Sequence, residues 1–181
     1  MRVVQPIRDK EMLAEIKRYL EHKNDRDYIL FLLGIYTGLR IADLLRLRVG
    51  SLKDKTHITI KEKKTGKAQT IKITKSLKRA LKVYLADKES TEYVLKSRQG
   101  GNKPISRERA YGILQDVAKE FNLSAIGCHT MRKTFGYHMY QQTKDVVLLQ
   151  EIFNHSDPAI TLRYIGVKQD TKDFAFDRID Y

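Results

Sequence analysis

Six side chains in this sequence are of the types that a reaction at a phosphodiester requires: Arg40, Lys64, His129, Arg132, His155 and Tyr164. Attack at phosphorus gathers negative charge on its oxygens, so fixed cations and hydrogen-bond donors must surround them. Arginine suits that task best, because its planar fork grips two oxygens at once and stays charged. A proton must also reach the departing oxygen, and a nucleophile must be at hand.

The local sequence says where each of these would sit. Arg40 closes Thr37-Gly38-Leu39-Arg40 after a strongly apolar stretch, so its charge must emerge at the rim of a core. Asp43 follows three residues later, where a carboxylate can steady the guanidinium. His129 and Arg132 are spaced to share one face near the start of a helix, and a helix N-terminus favours phosphate. His155 stands in Asn154-His155-Ser156, with Tyr164 nine residues on. Lys64 sits in Lys63-Lys64-Thr65-Gly66-Lys67, a turn that can carry an ammonium into a DNA groove as a proton donor. Taken singly, each has a plainer reading. Arg40 can be a helix-end salt bridge, His129 and Arg132 a basic surface helix, and Lys64 a solvated turn. His155 can be structural, and nothing in the residues alone singles out one of ten tyrosines.

The elements that must position these residues are mostly helical. Residues 9–22 carry Met12, Leu13, Ile16, Tyr19 and Leu20 at helical spacing, with Asp9 as N-cap. Residues 25–37 are apolar nearly all round, as a buried central helix is, and Gly38 stops it. A short amphipathic helix follows through Ile41, Leu44, Leu45 and Leu47. The period then changes: residues 57–61 and 69–74 alternate β-branched and polar residues around Thr65-Gly66, which predicts a hairpin. Helices are expected over 76–87, 106–121 (Ser106 as N-cap), 130–141, 145–153 and 158–164, with a short strand at 93–95. The fold class is therefore α+β, mainly helical with one small antiparallel sheet.

Composition points to the partner. Thirty-five Lys and Arg against twenty-two Asp and Glu give a formal charge of +13 over 181 residues, spread along the chain and not gathered in a tail. A folded surface meeting a polyanion fits that balance. The single cysteine, Cys128, allows no internal disulfide, and no eighteen-residue apolar run or signal sequence is present. A cytoplasmic location is the expectation, with no membrane partner.

Together the motifs resemble the tyrosine recombinase (phage integrase) family. The resemblance rests on Thr37-Gly38-Leu39-Arg40-Ile41-Ala42-Asp43-Leu44-Leu45-Arg46-Leu47, the Lys64 hairpin, His129-x-x-Arg132, and His155 with Tyr164 downstream, in that order. It implies that Tyr164 is the nucleophile, forming a 3′-phosphotyrosyl bond and releasing a 5′ hydroxyl. Arg40 and Arg132 would clamp the phosphate, and Lys64 would be the general acid, with Lys67 a weaker candidate. His129 and His155 would donate hydrogen bonds to the phosphate, and His129 is also a candidate to accept the Tyr164 proton. Asp43 would support; Lys63, Lys67, Lys133 and Arg163 would contact DNA. The cationic cluster would have to lower the cost of forming phenolate, whose reference pKa is ~10. No metal, ATP or other cofactor is implied, since the covalent link conserves the bond energy. Asn154 departs from the family, which usually has Gly there, but asparagine tolerates left-handed backbone.

The resemblance also frames organisation. Residues 1–167 would form the catalytic domain, and 168–181 a tail whose Phe174, Phe176 and Ile179 anchor either a neighbouring protomer or its own domain. No N-terminal core-binding domain precedes it, which reads either as a fragment or as a naturally short recombinase like those that invert fimbrial promoter segments; Met1 favours the latter. The partners expected are double-stranded DNA, a monomer becoming a tetramer on two duplexes, and accessory DNA-binding factors. A recombinase-like module that binds without cleaving, and a type IB topoisomerase-like enzyme, are the competing readings.

Overall fold

The structure, a computed structural model, describes residues 4–179. Helix α1 (Lys10–Lys23) starts where Asp9 accepts from the Glu11 N–H at 2.8 Å. Asn24 ends α1 and at once caps α2 (Asp25–Thr37), accepting from the Asp27 N–H at 3.1 Å. Ile29 to Leu33 are all buried along α2, because it is packed by α1, by α4 (Lys75–Tyr84) and by α6 (Thr130–Thr143). Gly38 ends α2 with φ +65°, and a Cβ there would strike the Phe135 ring. Both backbone and space therefore call for glycine.

The amphipathic run after Arg40 folds as a single turn, α3 (Ile41–Leu44), and not as the longer helix its pattern suggests. Leu47 and Val49 are still buried, but in a connection that leads into a 3₁₀ turn at Val49–Ser51. Strands β1 (His57–Lys61) and β2 (Ala68–Lys72) pair antiparallel from His57↔Lys72 to Lys61↔Ala68. Ile58 is buried under them, and Ile60 and Ile71 pack beside it. β2 stops short of Thr74 because that hydroxyl caps α4, accepting from the Leu77 N–H at 3.4 Å. The strand expected at 93–95 is reduced to one bridge between Arg48 and Tyr93. Val94 and Leu95 turn into the core instead of extending a sheet.

Helix α5 (Arg107–Glu120) is capped by Ser106, and the chain finishes with α6, α7 (Val146–Phe153), α8 (Pro158–Ile165) and α9 (Val167–Phe176). The main core joins α1, α2, α4 and α5. A smaller core of Leu149, Phe153 and Ile165, with Phe135, Tyr140 and Tyr164 around it, binds α6, α7 and α8 together. Residues 4–8 strap α6 from outside: the Ile7 N–H donates to Thr134 Oγ1 (2.9 Å), and His138 Nε2 meets the Ile7 carbonyl (2.9 Å). Arg8 pairs with Asp170 at 3.0 Å and so fastens α9 to the same strap. Phe174, Phe176 and Ile179 remain exposed.

The seam between α6 and the smaller core is tight at Gly136, where a Cβ would lie 2.7 Å from Ile165 and from the Phe153 ring. Gly136→Ala should therefore lower unfolding free energy by about 1–3 kcal/mol, the usual cost of overpacking. Urea denaturation reads this directly. A variant as stable as the parent would mean that the seam has slack.

Candidate active site

The smaller core presents the end of α7 to two arginines. Asn154 adopts the left-handed conformation (φ 52°, ψ 45°), and the His155 N–H turns back onto the Gln150 carbonyl at 3.0 Å. This ending stops the helix sharply and leaves the Phe153 carbonyl free of any intrahelical partner. Arg132 Nη2 donates to that carbonyl at 3.0 Å and Arg40 Nη2 at 3.3 Å. Arg132, only 3 % exposed, also donates from Nη1 to the Gly38 carbonyl, at 2.5 Å, and stacks its guanidinium 4.2 Å from the Phe153 ring centre. Burial, and then the charge of Arg40, pull its pKa down to about 10, so it remains a cation at neutral pH.

Arg40 is held from its other side by Glu62, not by Asp43. Its Nη1 forms an ion pair with Glu62 Oε2 at 2.8 Å, at an angle that is not that of a hydrogen bond. Asp43 instead accepts the Lys63 N–H at 2.9 Å and fastens the hairpin turn. The expectation that Asp43 steadies the Arg40 guanidinium is thus corrected: the one-turn helix α3 points its carboxylate at the turn. Glu62 is 1 % exposed, and its Oε2 also accepts from Thr65 Oγ1 (2.7 Å) and Asn154 Nδ2 (3.2 Å). Nothing in the local sequence separates Glu62 from the charged residues around it. Only the alternation of β1, continued one residue past Lys61, could have placed it inward.

Tyr164 projects from α8 into this cluster. Its hydroxyl lies 3.1 Å from His129 Nδ1, and its ring meets His155 edge-on at 5.2 Å between centres. Burial raises the Tyr164 pKa, although Arg132 and Arg40 pull the other way. The cations therefore reduce the cost of phenolate without overcoming burial, and the resting side chain is a phenol. His155 is depressed to about 4, by burial first and then by Arg132, Arg40 and Lys64. His129 is lowered by partial enclosure and then by Arg132, even though the residue as a whole is exposed. Both imidazoles are neutral at pH 7.

Lys64 is exposed on the turn between β1 and β2, close enough for its charge to depress His155. Lys63, Lys67 and Arg163 are exposed on the same turn and on α8. Lys133 is not a surface cation. It is 8 % exposed, and its Nζ donates to the Val4 carbonyl at 2.7 Å beneath the Tyr164 ring, whose centre is 5.1 Å away. Burial and then Arg8 lower its pKa. The DNA contact expected of Lys133 gives way to this strap-binding position, because its place in α6 turns it inward. Among the described residues no three His, Cys, Asp or Glu side chains converge on a possible metal position.

The family model described as the phage integrase family matches residues 8–170. The chain belongs to that family. It is 49 % identical over 176 residues to the probable integrase/recombinase YoeC of Bacillus subtilis (strain 168), covering 97 % of each chain. It is 27 % identical over 159 residues to the tyrosine recombinase XerA of Pyrococcus furiosus, covering 84 % of this chain and 55 % of that one. Among solved structures, XerH recombinase bound to its palindromic difH substrate in a post-cleavage complex superposes with a TM-score of 0.74 at 18 % identity, over 96 % of this chain and 53 % of that one. The chain thus spans nearly all of the Bacillus relative and about half of the Xer recombinases. The α+β architecture is that of a tyrosine recombinase catalytic domain, and by family membership the chain is a tyrosine recombinase, an enzyme of DNA recombination and integration. No helix of the described residues is long and apolar enough to cross a membrane.

The depressed His155 has a measurable consequence. Its folded pKa of about 4 lies below the unfolded value of ~6.5, so the unfolded chain takes up the proton first. The stability contributed by neutral His155 is complete above pH ~6.5 and is lost as the pH falls toward about 4. NMR titration of the ring should place its midpoint there, and His155→Asn should make the DNA-free domain less sensitive to acid. A midpoint near the ordinary histidine value would show that neither enclosure nor the cations act on the ring.

Proposed function

We propose that the Tyr164 phenol attacks a DNA phosphate held by Arg40 and Arg132. The observation that carries this reading is the 3.1 Å contact between the Tyr164 hydroxyl and His129 Nδ1, beside the paired guanidiniums. Arg40 and Arg132 each hold five N–H donors, and those not engaged by Phe153, Gly38 and Glu62 are free to grip phosphate oxygens. The Tyr164 oxygen forms the new bond to phosphorus, and its proton passes to His129. The bond to the 5′ oxygen breaks, and that oxygen takes its proton from Lys64, with Lys67 the weaker donor. His155 serves as a neutral donor when Thr161 Oγ1, 3.0 Å from Nδ1, supplies the proton there and leaves Nε2–H for the phosphate. Because burial keeps Tyr164 protonated, proton removal must accompany attack. The product is a 3′-phosphotyrosyl link and a 5′ hydroxyl, reversed when another 5′ hydroxyl attacks, with no cofactor required.

The substrate in this reading is double-stranded DNA, met in the cytoplasm through the +13 surface. Lys63, Lys67 and Arg163 are the backbone contacts, and Asp43 supports by fixing the turn. The protein is a monomer alone and a tetramer on two duplexes, with accessory DNA-binding factors setting the direction; the Arg8–Asp170 pair holds α9 on its own domain and leaves Phe174, Phe176 and Ile179 exposed as anchors for a neighbouring protomer. Integration, excision and inversion share this one chemistry.

The test is incubation with sheared DNA of the source organism, followed by isolation of detergent-resistant adducts. The adduct should map to the peptide containing Tyr164, and its DNA reports the site. Tyr164→Phe should abolish the adduct and leave binding intact, while Arg40→Ala should slow cleavage by about 10²–10³-fold, as loss of one transition-state donor does. Salt-sensitive binding without any adduct would favour a non-cleaving module. Relaxation of plasmids without a preferred site would favour a topoisomerase-like enzyme.

A further inference from the structure

Glu62 takes no part in the reaction as written, yet it is among the most enclosed charged groups in the molecule. One of its oxygens, Oε2, receives Thr65 Oγ1 (2.7 Å), Arg40 Nη1 (2.8 Å) and Asn154 Nδ2 (3.2 Å). These three partners, two hydrogen-bond donors and one ion-paired guanidinium, come from the Lys64 turn, the phosphate clamp and the residue before His155. Burial alone would neutralise such a carboxyl. The Thr65 hydroxyl and Arg40 outweigh it and hold the pKa below the usual range.

The turn carrying Lys64 is fastened on both flanks. On one side the Lys63 N–H is taken by Asp43 (2.9 Å), and on the other Thr65 is taken by Glu62. The hairpin is tied to α7 a second time by Gln69 Nε2, which donates to the Ile152 carbonyl at 2.7 Å. Asn154 completes the link. Its left-handed backbone (φ 52°) is one that glycine would adopt more easily, so its side chain must supply what glycine lacks. What it supplies here is the Nδ2 donor to Glu62.

We propose that Glu62, tied to Asn154, is a positioning residue that locks the Lys64 turn and Arg40 to the end of α7, so that proton donor and phosphate clamp come into register as one unit. The inference rests on the strand-cleavage reading above. It predicts that loosening this carboxylate damages two catalytic functions together, without touching DNA binding.

The experiment measures single-turnover cleavage of the duplex captured in the adduct assay. It compares an ordinary phosphodiester with one whose 5′-bridging oxygen is replaced by sulfur, a leaving group that needs no proton. Lys64→Ala, the reference for a lost proton donor, should regain its full rate on the sulfur substrate. Glu62→Gln keeps the shape but removes the charge. It should cleave the ordinary substrate about 100-fold more slowly, as small misplacements of reacting groups do, and recover only part of that loss on sulfur. Asn154→Gly preserves the turn and removes only the tie, so it decides the matter if Glu62→Gln fails to fold; a smaller loss, again partly recovered, is expected. Full recovery, no recovery, or wild-type rates in the variant that folds would each overturn the coupling. Absence of any wild-type adduct would instead overturn the strand-cleavage reading, and the inference with it.

Discussion

Two guanidinium groups share one backbone carbonyl, that of Phe153, and the arrangement of the site depends on this contact. Bringing Arg40 and Arg132 together in a largely buried place costs both desolvation and repulsion. The cost is offset by acceptors that cannot move away: the Phe153 carbonyl at the negative end of α7, the Gly38 carbonyl at the end of α2, and the carboxylate of Glu62. The two carbonyls are available because a helix ends at each. Gly38 and Asn154 both turn left-handed, and each such turn releases a carbonyl that a continuing helix would have consumed.

The smaller core follows from the same requirement. Phe153 places its ring under the Arg132 guanidinium and its carbonyl against both arginines, so α7 can neither rotate nor slide. Tyr164 and His155 pack on that ring, which puts the candidate tyrosine and the second histidine on a surface whose position the arginines already fix. Gly136 lets α6 approach closely enough for Arg132 to reach beneath α7. From the other side the strap of residues 4–8 holds α6 by its backbone and by Lys133, so the helix bearing Arg132 is gripped on both faces.

Charge distribution in the resting site favours waiting over firing. Burial, reinforced by the cations, depresses both histidines and keeps them neutral, and burial also keeps Tyr164 a phenol. A free tyrosine anion therefore has no reason to form in the resting site.

The sequence by itself determined most of the elements and a candidate reactive set, because both are written in local spacing. The caps Asp9 and Ser106, the all-apolar run of α2 and the alternation of β1 each act within a few residues, and they appear where their patterns place them. Arg40, His129, Arg132, His155 and Tyr164 were readable from motif order, and the fold brings them together. What only the tertiary structure decided is which partner each charge takes. Asp43 and Glu62 are both carboxylates near Arg40 in sequence or at the hairpin, and spacing favoured the nearer one. The single turn of α3 aims Asp43 at the Lys63 amide and leaves Arg40 to Glu62, twenty-two residues away along the chain and 2.8 Å away in space. Lys133 shows the same limit: beside Arg132 it looks like another phosphate cation, but the strap gives it a carbonyl inside. Short-range patterning sets where the backbone turns, whereas the pairing of buried charges depends on distances that exist only once the helices have packed.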